Sequence, residues 1–252
     1  MAKLHENPRT QPLAVPPTDR TVLELVHPTD WVTEVHRRAA THEPAGEEVP
    51  LVPASWPAML GAAAAVVAAT DHALAGRGAA FAAVRPPGHH ASATHAMGFC
   101  PFNLVAIAVA HARAKGIERA LIVDWDVHHG SGAQDIVADE PRTRFVSMHQ
   151  EAWYPGTGAV GDVGVGNCFN VPMAPGLPRA TYREALWSAV ERATADWQPE
   201  AIFVSAGYDG MAGDPLGGFT LEPQDYADWI GRIRDRWPGL PLVATIDRKS
   251  VV

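Results

Sequence analysis

At 252 residues and 47% hydrophobic content, the chain is long enough for one large α/β domain with a substantial core, and two domains are not required. Its 28 acidic residues against 20 basic ones give a net charge of -8, and no basic run is available to track a phosphate backbone, which argues against nucleic acid as a direct ligand. Cys100 and Cys168 make no disulfide framework, the start has no apolar stretch suited to a signal peptide, and the small-apolar run 61–69 is too short for a membrane span; a soluble, cytoplasmic protein is the expectation.

The first fifty residues are rich in Pro and charge, with one amphipathic helix predicted over 29–40 and His27 just before it. Ser55 is placed to cap a helix over 55–74 that Gly76 ends. Residues 79–84 read as a strand that delivers Arg85-Pro86-Pro87-Gly88-His89-His90 at its end. A helix over 103–115, stopped by Gly116, leads to the apolar run 120–123, which has the length and β-branched content of a buried strand. This strand, helix, strand order calls for parallel pairing. Further on, 144–148 and 169–171 read as strands, 178–197 as a helix with Leu186, Ala189, Val190, Ala193 and Trp197 on one face, 201–204 as a strand, 223–237 as a helix with Pro near its start, and 240–246 as a last strand.

The chemistry concentrates at Asp124-Trp125-Asp126-Val127-His128-His129-Gly130, directly after the strand 120–123. Asp126 and His128 are two apart, and extended backbone points both side chains to the same side, so one oxygen and one nitrogen could converge on a metal. Any one of these residues alone reads as part of a solvated turn; four ionisable groups in six residues after a buried strand point to chemistry. The clusters at His89/His90, 124–129 and Asp209 all follow predicted strands, and open α/β sheets collect their ligands at that edge. Three O/N ligands would leave one position for water, as in a catalytic zinc site, although mixed Asp/His ligation also suits Fe2+ or Co2+.

These residues resemble the histone deacetylase family, in particular its class II-like bacterial members, which include acetylpolyamine amidohydrolases and acetoin-utilisation proteins. The matching pieces are Arg85-Pro86-Pro87-Gly88-His89-His90-Ala91, Gly98-Phe99-Cys100-Pro101-Phe102-Asn103, the 124–130 stretch, Tyr154-Pro155-Gly156-Thr157-Gly158 and Ser205-Ala206-Gly207-Tyr208-Asp209, in order over roughly 20–245. The resemblance implies a single three-layer α/β/α domain with a mostly parallel sheet, of arginase/deacetylase type. It implies zinc on Asp126, His128 and Asp209, His90 as general base and acid, His89 as its electrostatic support, and Asp124 paired with His89. Gly98, Phe99 and Tyr154 would line an acyl-lysine channel, and Asp124, Asp126, His128, Ser147 and Met148 would form a K+ site through largely backbone carbonyls. Ser131 departs from the family, which usually has Asp or Asn there; a hydroxyl can accept a hydrogen bond from His90 but adds no charge.

The implied reaction is hydrolysis of an N-acetyl amide, on an acetylated small molecule or an acetyl-lysine protein. Two other readings stand beside it: a manganese ureohydrolase of arginase type, which would call for Asp-x-His-x-Asp rather than the Asp-x-Asp-x-His found here, and a non-catalytic protein that binds acetylated ligands. The final hexapeptide, Asp247-Arg248-Lys249-Ser250-Val251-Val252, is what a common sequencing-adapter sequence encodes in one frame, so 247–252 reads as a non-native tail on a domain that lacks its C-terminal part. Where the family continues into a Gly-Gly-Tyr type loop that supplies an oxyanion donor, this chain stops, and its activity is expected to be impaired. The family's usual first strand is also absent from the N-terminal sequence, so that end reads as incomplete too.

Overall fold

The computed structural model describes residues 10–247; Arg248 to Val252, and with them most of the tail discussed above, lie outside the described residues. Six strands, β1 (Ala80–Ala82), β2 (Ala120–Asp124), β3 (Thr143–Gln150), β4 (Cys168–Met173), β5 (Ala201–Ala206) and β6 (Leu242–Ile246), form one sheet in the order β1-β6-β5-β2-β3-β4. Every pairing is parallel. The mostly parallel three-layer expectation holds.

The helices are α1 (Thr29–Thr41), α2 (Ser55–Leu74), α3 (Leu104–Ala114), α4 (Ser131–Val137), α5 (Arg179–Ala193) and α6 (Pro223–Arg236), with a 3-10 turn at Arg20–Leu25. Alternation along the strands divides the core into two. Ile122, Phe145 and Phe203 pack with residues of α1 to α4 on one face, whereas Leu121, Val123, Val146, Ile202 and Val204 pack with residues of α5 and α6 on the other. Both faces of β2 and β5 are covered, which is why those strands read as unbroken apolar runs. Each such Leu or Ile contributes roughly 1.5–3 kcal/mol by leaving water.

Several local expectations need correction. Ser55 is the first residue of α2 rather than its cap; its Oγ accepts from Val52 N (3.1 Å), so the hydroxyl closes the preceding turn. The run 61–69 belongs to a 20-residue helix that is long and apolar enough, by length and composition, to cross a membrane. Here it packs as a core helix, with Met59, Ala62, Ala63, Val66, Ala69 and Ala73 buried. Helix α5 ends at Ala193, so Trp197 lies beyond it; the Thr194 hydroxyl turns back to Val190 O (2.8 Å) at that end. Asn103 caps α3 by accepting from Ala106 N (3.0 Å). At α6 a capping box pairs Glu222 with Asp225, whose buried carboxylate also takes a two-pronged bond from Arg179 on α5 (3.0 and 2.9 Å).

Candidate metal and catalytic site

Parallel pairing puts the ends of β2, β3 and β5 side by side, with Asp124 in register with Ser147 and Ser205. The loops leaving β2 and β5 are tied together where Val127 N donates to Asp209 Oδ1 (3.0 Å). As a result Asp126, His128 and Asp209, 83 residues apart at the extremes, bring one donor atom each within 4.8 Å of one another. Asp126 and Asp209 are buried and His128 is partly so. Gly207 makes the approach possible: a Cβ there would lie 2.0 Å from Asp126 Oδ2.

His128 Nδ1 sits 3.0 Å from both Asp126 Oδ1 and Asp209 Oδ2. Burial, then the nearby Asp209 charge, pushes Asp126 up to about 7. Burial works against a charged His128, but its bonds to the two carboxylates prevail and raise it to about 9. The three groups thus hold a proton between two repelling carboxylates. A divalent cation in its place would offset that repulsion, and the oxygen, oxygen, nitrogen donor set fits one.

His89 and His90 arrive on the loop after β1. Their rings lie 4.0 Å apart, both buried, in opposite surroundings. His89 Nδ1 pairs with Asp124 Oδ2 (2.9 Å), as expected, and Asp124 Oδ1 accepts from Asp126 N (3.1 Å). Burial opposes a charge on His89, yet the carboxylates of Asp247, Asp124 and Asp126 raise it well above the ordinary histidine value. His90 goes the other way: burial, then the neighbouring His89, His128 and His129, hold it well below that value. Neither His90 Nδ1 nor Ser131 Oγ has a hydrogen bond of good geometry, so the bond expected between them is not made, although the His129 carbonyl favours the protonated form of His90.

Tyr154 meets His90 and His128 edge to face, at 5.2 and 6.0 Å between ring centroids. Phe99, at φ +63°, faces a cavity of about 280 Å³ shared with Leu51, Met59, Arg85 and Pro101. Gly98 lets the His90 ring approach: at φ +54°, a Cβ there would lie 2.4 Å from His90 Cδ2. Ser147 and Met148 are buried on β3, and the Ser147 hydroxyl is engaged with His149 Nδ1 (3.0 Å).

Sequence reasoning missed several groups here. The rings of His129 and His149 lie 4.6 Å apart, tilted by 50°, and are held by Thr157, Gln134, Ser147 and the Gly158 carbonyl. Their positions inside quoted motifs or next to a strand end were the available signal. Asp247 is buried beyond β6; its Oδ1 accepts from Gly88 N and His89 N (2.8 Å each) and its Oδ2 from the Ser205 hydroxyl. An acid directly after an apolar strand gave the same signal that drew attention to Asp124.

A family profile described as the histone deacetylase domain matches residues 1–245. The histone deacetylase-like amidohydrolase of Pseudomonas aeruginosa is 34% identical over 235 residues, which cover 90% of this chain and 62% of that protein. Histone deacetylase 15 of Arabidopsis thaliana is 41% identical over 171 residues, 65% of this chain and 31% of that one. The chain therefore spans less than two thirds of the length of either relative. Among solved structures, the HDA15 HD domain superposes with a TM-score of 0.90 at 32% identity, covering 96% of this chain and 73% of that one. An acetylpolyamine aminohydrolase from Burkholderia pseudomallei gives 0.79 at 26% identity, covering 92% and 78%. The profile match over nearly the whole chain, on a parallel sheet that gathers Asp126, His128 and Asp209 at one edge, makes this chain a member of the histone deacetylase family.

Proposed function

We propose that the chain carries the catalytic core of a zinc-dependent amidohydrolase that removes acetyl groups from amides of the acetyl-lysine or acetylpolyamine class. The observation that carries this reading is the convergence of Asp126, His128 and Asp209 beside a neutral, buried His90. Asp126, His128 and Asp209 would hold the zinc, which when bound supplies Lewis acidity to the acyl oxygen and to water. His90 stays unprotonated in the ground state, as a general base must. Its Nδ1 is buried, so Nε2 is the nitrogen left to take a proton from water and return one to the leaving amine. Asp124 fixes the orientation of His89, and the positive charge on His89 favours proton release from His90. Tyr154 walls one side of the approach with its ring, and Phe99 would contribute the other. A K+ ion on the carbonyls of Asp124, Asp126, His128 and Met148 and on Ser147 would stiffen the ends of β2 and β3.

A second reading is favoured by one observation: nothing in the described residues gives His90 Nδ1 a well-formed acceptor. In it, the chain binds acetylated ligands without turning them over. Hydrolysis of N-acetylputrescine and of an acetyl-lysine peptide, measured with the zinc-loaded chain and with the product of the uninterrupted parent gene, separates the two. Acetate release by the parent supports the amidohydrolase; saturable binding without acetate release by either supports the binding protein.

A further inference from the structure

His27 lies between the 3-10 turn and α1, far in sequence from the site, yet it is 1% exposed and fully bonded. Its Nδ1 is 2.9 Å from the Ala93 carbonyl, and its Nε2 accepts from Asn103 N at 2.9 Å. A carbonyl can only accept and a backbone N–H can only donate, so the ring must be the neutral tautomer protonated at Nδ1. Burial acts in the same direction, pushing His27 down to about 4. The ring of Phe102 packs against it edge to face at 5.0 Å.

The two groups that His27 holds bracket the second half of the loop that carries the site. Ala93 is three residues after His90. Asn103 caps α3 and donates from Nδ2 to the Ala91 carbonyl (2.7 Å), the residue next to His90. The other half of the loop is fixed from the opposite side, where Asp247 accepts from Gly88 N and His89 N. His90 thus sits between two anchors, and the one on its C-terminal side joins the Asn103 to Ala91 bond with the two bonds of the His27 imidazole. Removing that imidazole would orphan a buried carbonyl and a buried N–H together.

We propose that His27 is a positioning residue, which through Asn103 and the Ala91 and Ala93 carbonyls sets the place of His90 relative to Asp126, His128 and Asp209. The proposal rests on the amidohydrolase reading for its catalytic consequence and on geometry alone for the clamp. Misplacement of about 1 Å costs on the order of 10²-fold in rate. His27→Phe keeps a ring against Phe102 and removes both bonds; His27→Gln keeps one donor and one acceptor.

Amide hydrogen exchange on the zinc-loaded protein should rise at least tenfold over residues 89–100 in His27→Phe and stay unchanged in β2 and β3, with zinc content unchanged. In the parent enzyme the same substitution should lower kcat by about 10- to 100-fold while KM moves less than twofold, and His27→Gln should recover part of the loss. In the unsubstituted protein at pH 7, the ¹⁵N shifts of His27 should report Nδ1 protonated and Nε2 bare, a measurement that needs no variant. The opposite tautomer, a charged ring, unchanged exchange over 89–100, or an unchanged kcat would overturn the clamp. If the parent shows no turnover, it is the amidohydrolase reading that fails; the tautomer and the exchange rates still decide the clamp.

Discussion

Two regions only a few ångströms apart handle buried imidazoles in opposite ways. Around the ends of β2, β5 and β6, Asp247, Asp124 and Asp126 raise His89, and Asp126 and Asp209 raise His128, against the burial of both. On the side of β3 and α4, His129 and His149 have a hydroxyl, an amide and a carbonyl for company, and His90 has other imidazoles; burial lowers all three. The first region holds charge and suits a cation. The second keeps imidazoles neutral and suits a base. The reaction proposed needs both, and the boundary runs between two adjacent residues, His89 and His90.

Removing the neutral base should have the largest kinetic effect. His90→Ala in the parent enzyme is expected to lower turnover of an acetyl amide by roughly 10² to 10⁴-fold while leaving metal content nearly unchanged. Steady-state kinetics beside metal analysis check it, and wild-type turnover would remove His90 from the mechanism.

The neutral region should also show in the pH dependence of stability. Burial, with the neighbouring His129, lowers His149 to about 3 against 6.5 when unfolded. Between those values the unfolded chain binds the extra proton, so stability is fully present above about pH 6.5 and falls as the solution is acidified. Between pH 6.5 and 4 this one group costs roughly 3 kcal/mol. The change in denaturant-measured stability from pH 7 to pH 4 should carry a smaller acid-side loss in His149→Gln than in the unsubstituted chain; equal pH slopes in the two proteins would contradict the assignment.

Converting part of the second region into the first is a smaller change. Ser131 lines one cavity with His90, so Ser131→Asp would add a carboxylate on that side of the site, in the first turn of α4 where an acid is also favourable. The pH-rate profile of the parent should then move its lower limb up by about one unit, with turnover changed by about tenfold or less. A profile that stays in place would show that residue 131 does not reach His90.

Much of this contrast was legible in the sequence. The fully buried β2 announced itself as an apolar run, but the extended backbone expected to aim Asp126 and His128 together is not there: the strand stops at Asp124, residues 126–128 bend, and His128 N donates to Asp126 Oδ1 (2.8 Å). The strand, helix alternation carried the parallel sheet. Helix α4 was not legible: seven residues with no side-chain cap give too little periodicity to register. Nor was the neutrality of His90, which depends on burial, with Gly98 against its ring, and on the imidazoles of His89 and of the 124–130 loop, contacts that only the assembled sheet creates. Asp247 shows the same limit from the other side: its place after β6 gave no role in advance, yet its carboxylate accepts from the Gly88 and His89 amides.

The central claim is that the acid-rich region is a metal centre built from Asp126, His128 and Asp209. Metal analysis of the purified chain after zinc loading and dialysis, alongside Asp209→Ala, tests it without requiring turnover. The account predicts near one equivalent of zinc in the unsubstituted chain and little in the variant, because His128 and Asp126 alone leave the site one ligand short. Full occupancy in Asp209→Ala, or none in the unsubstituted chain, would contradict it.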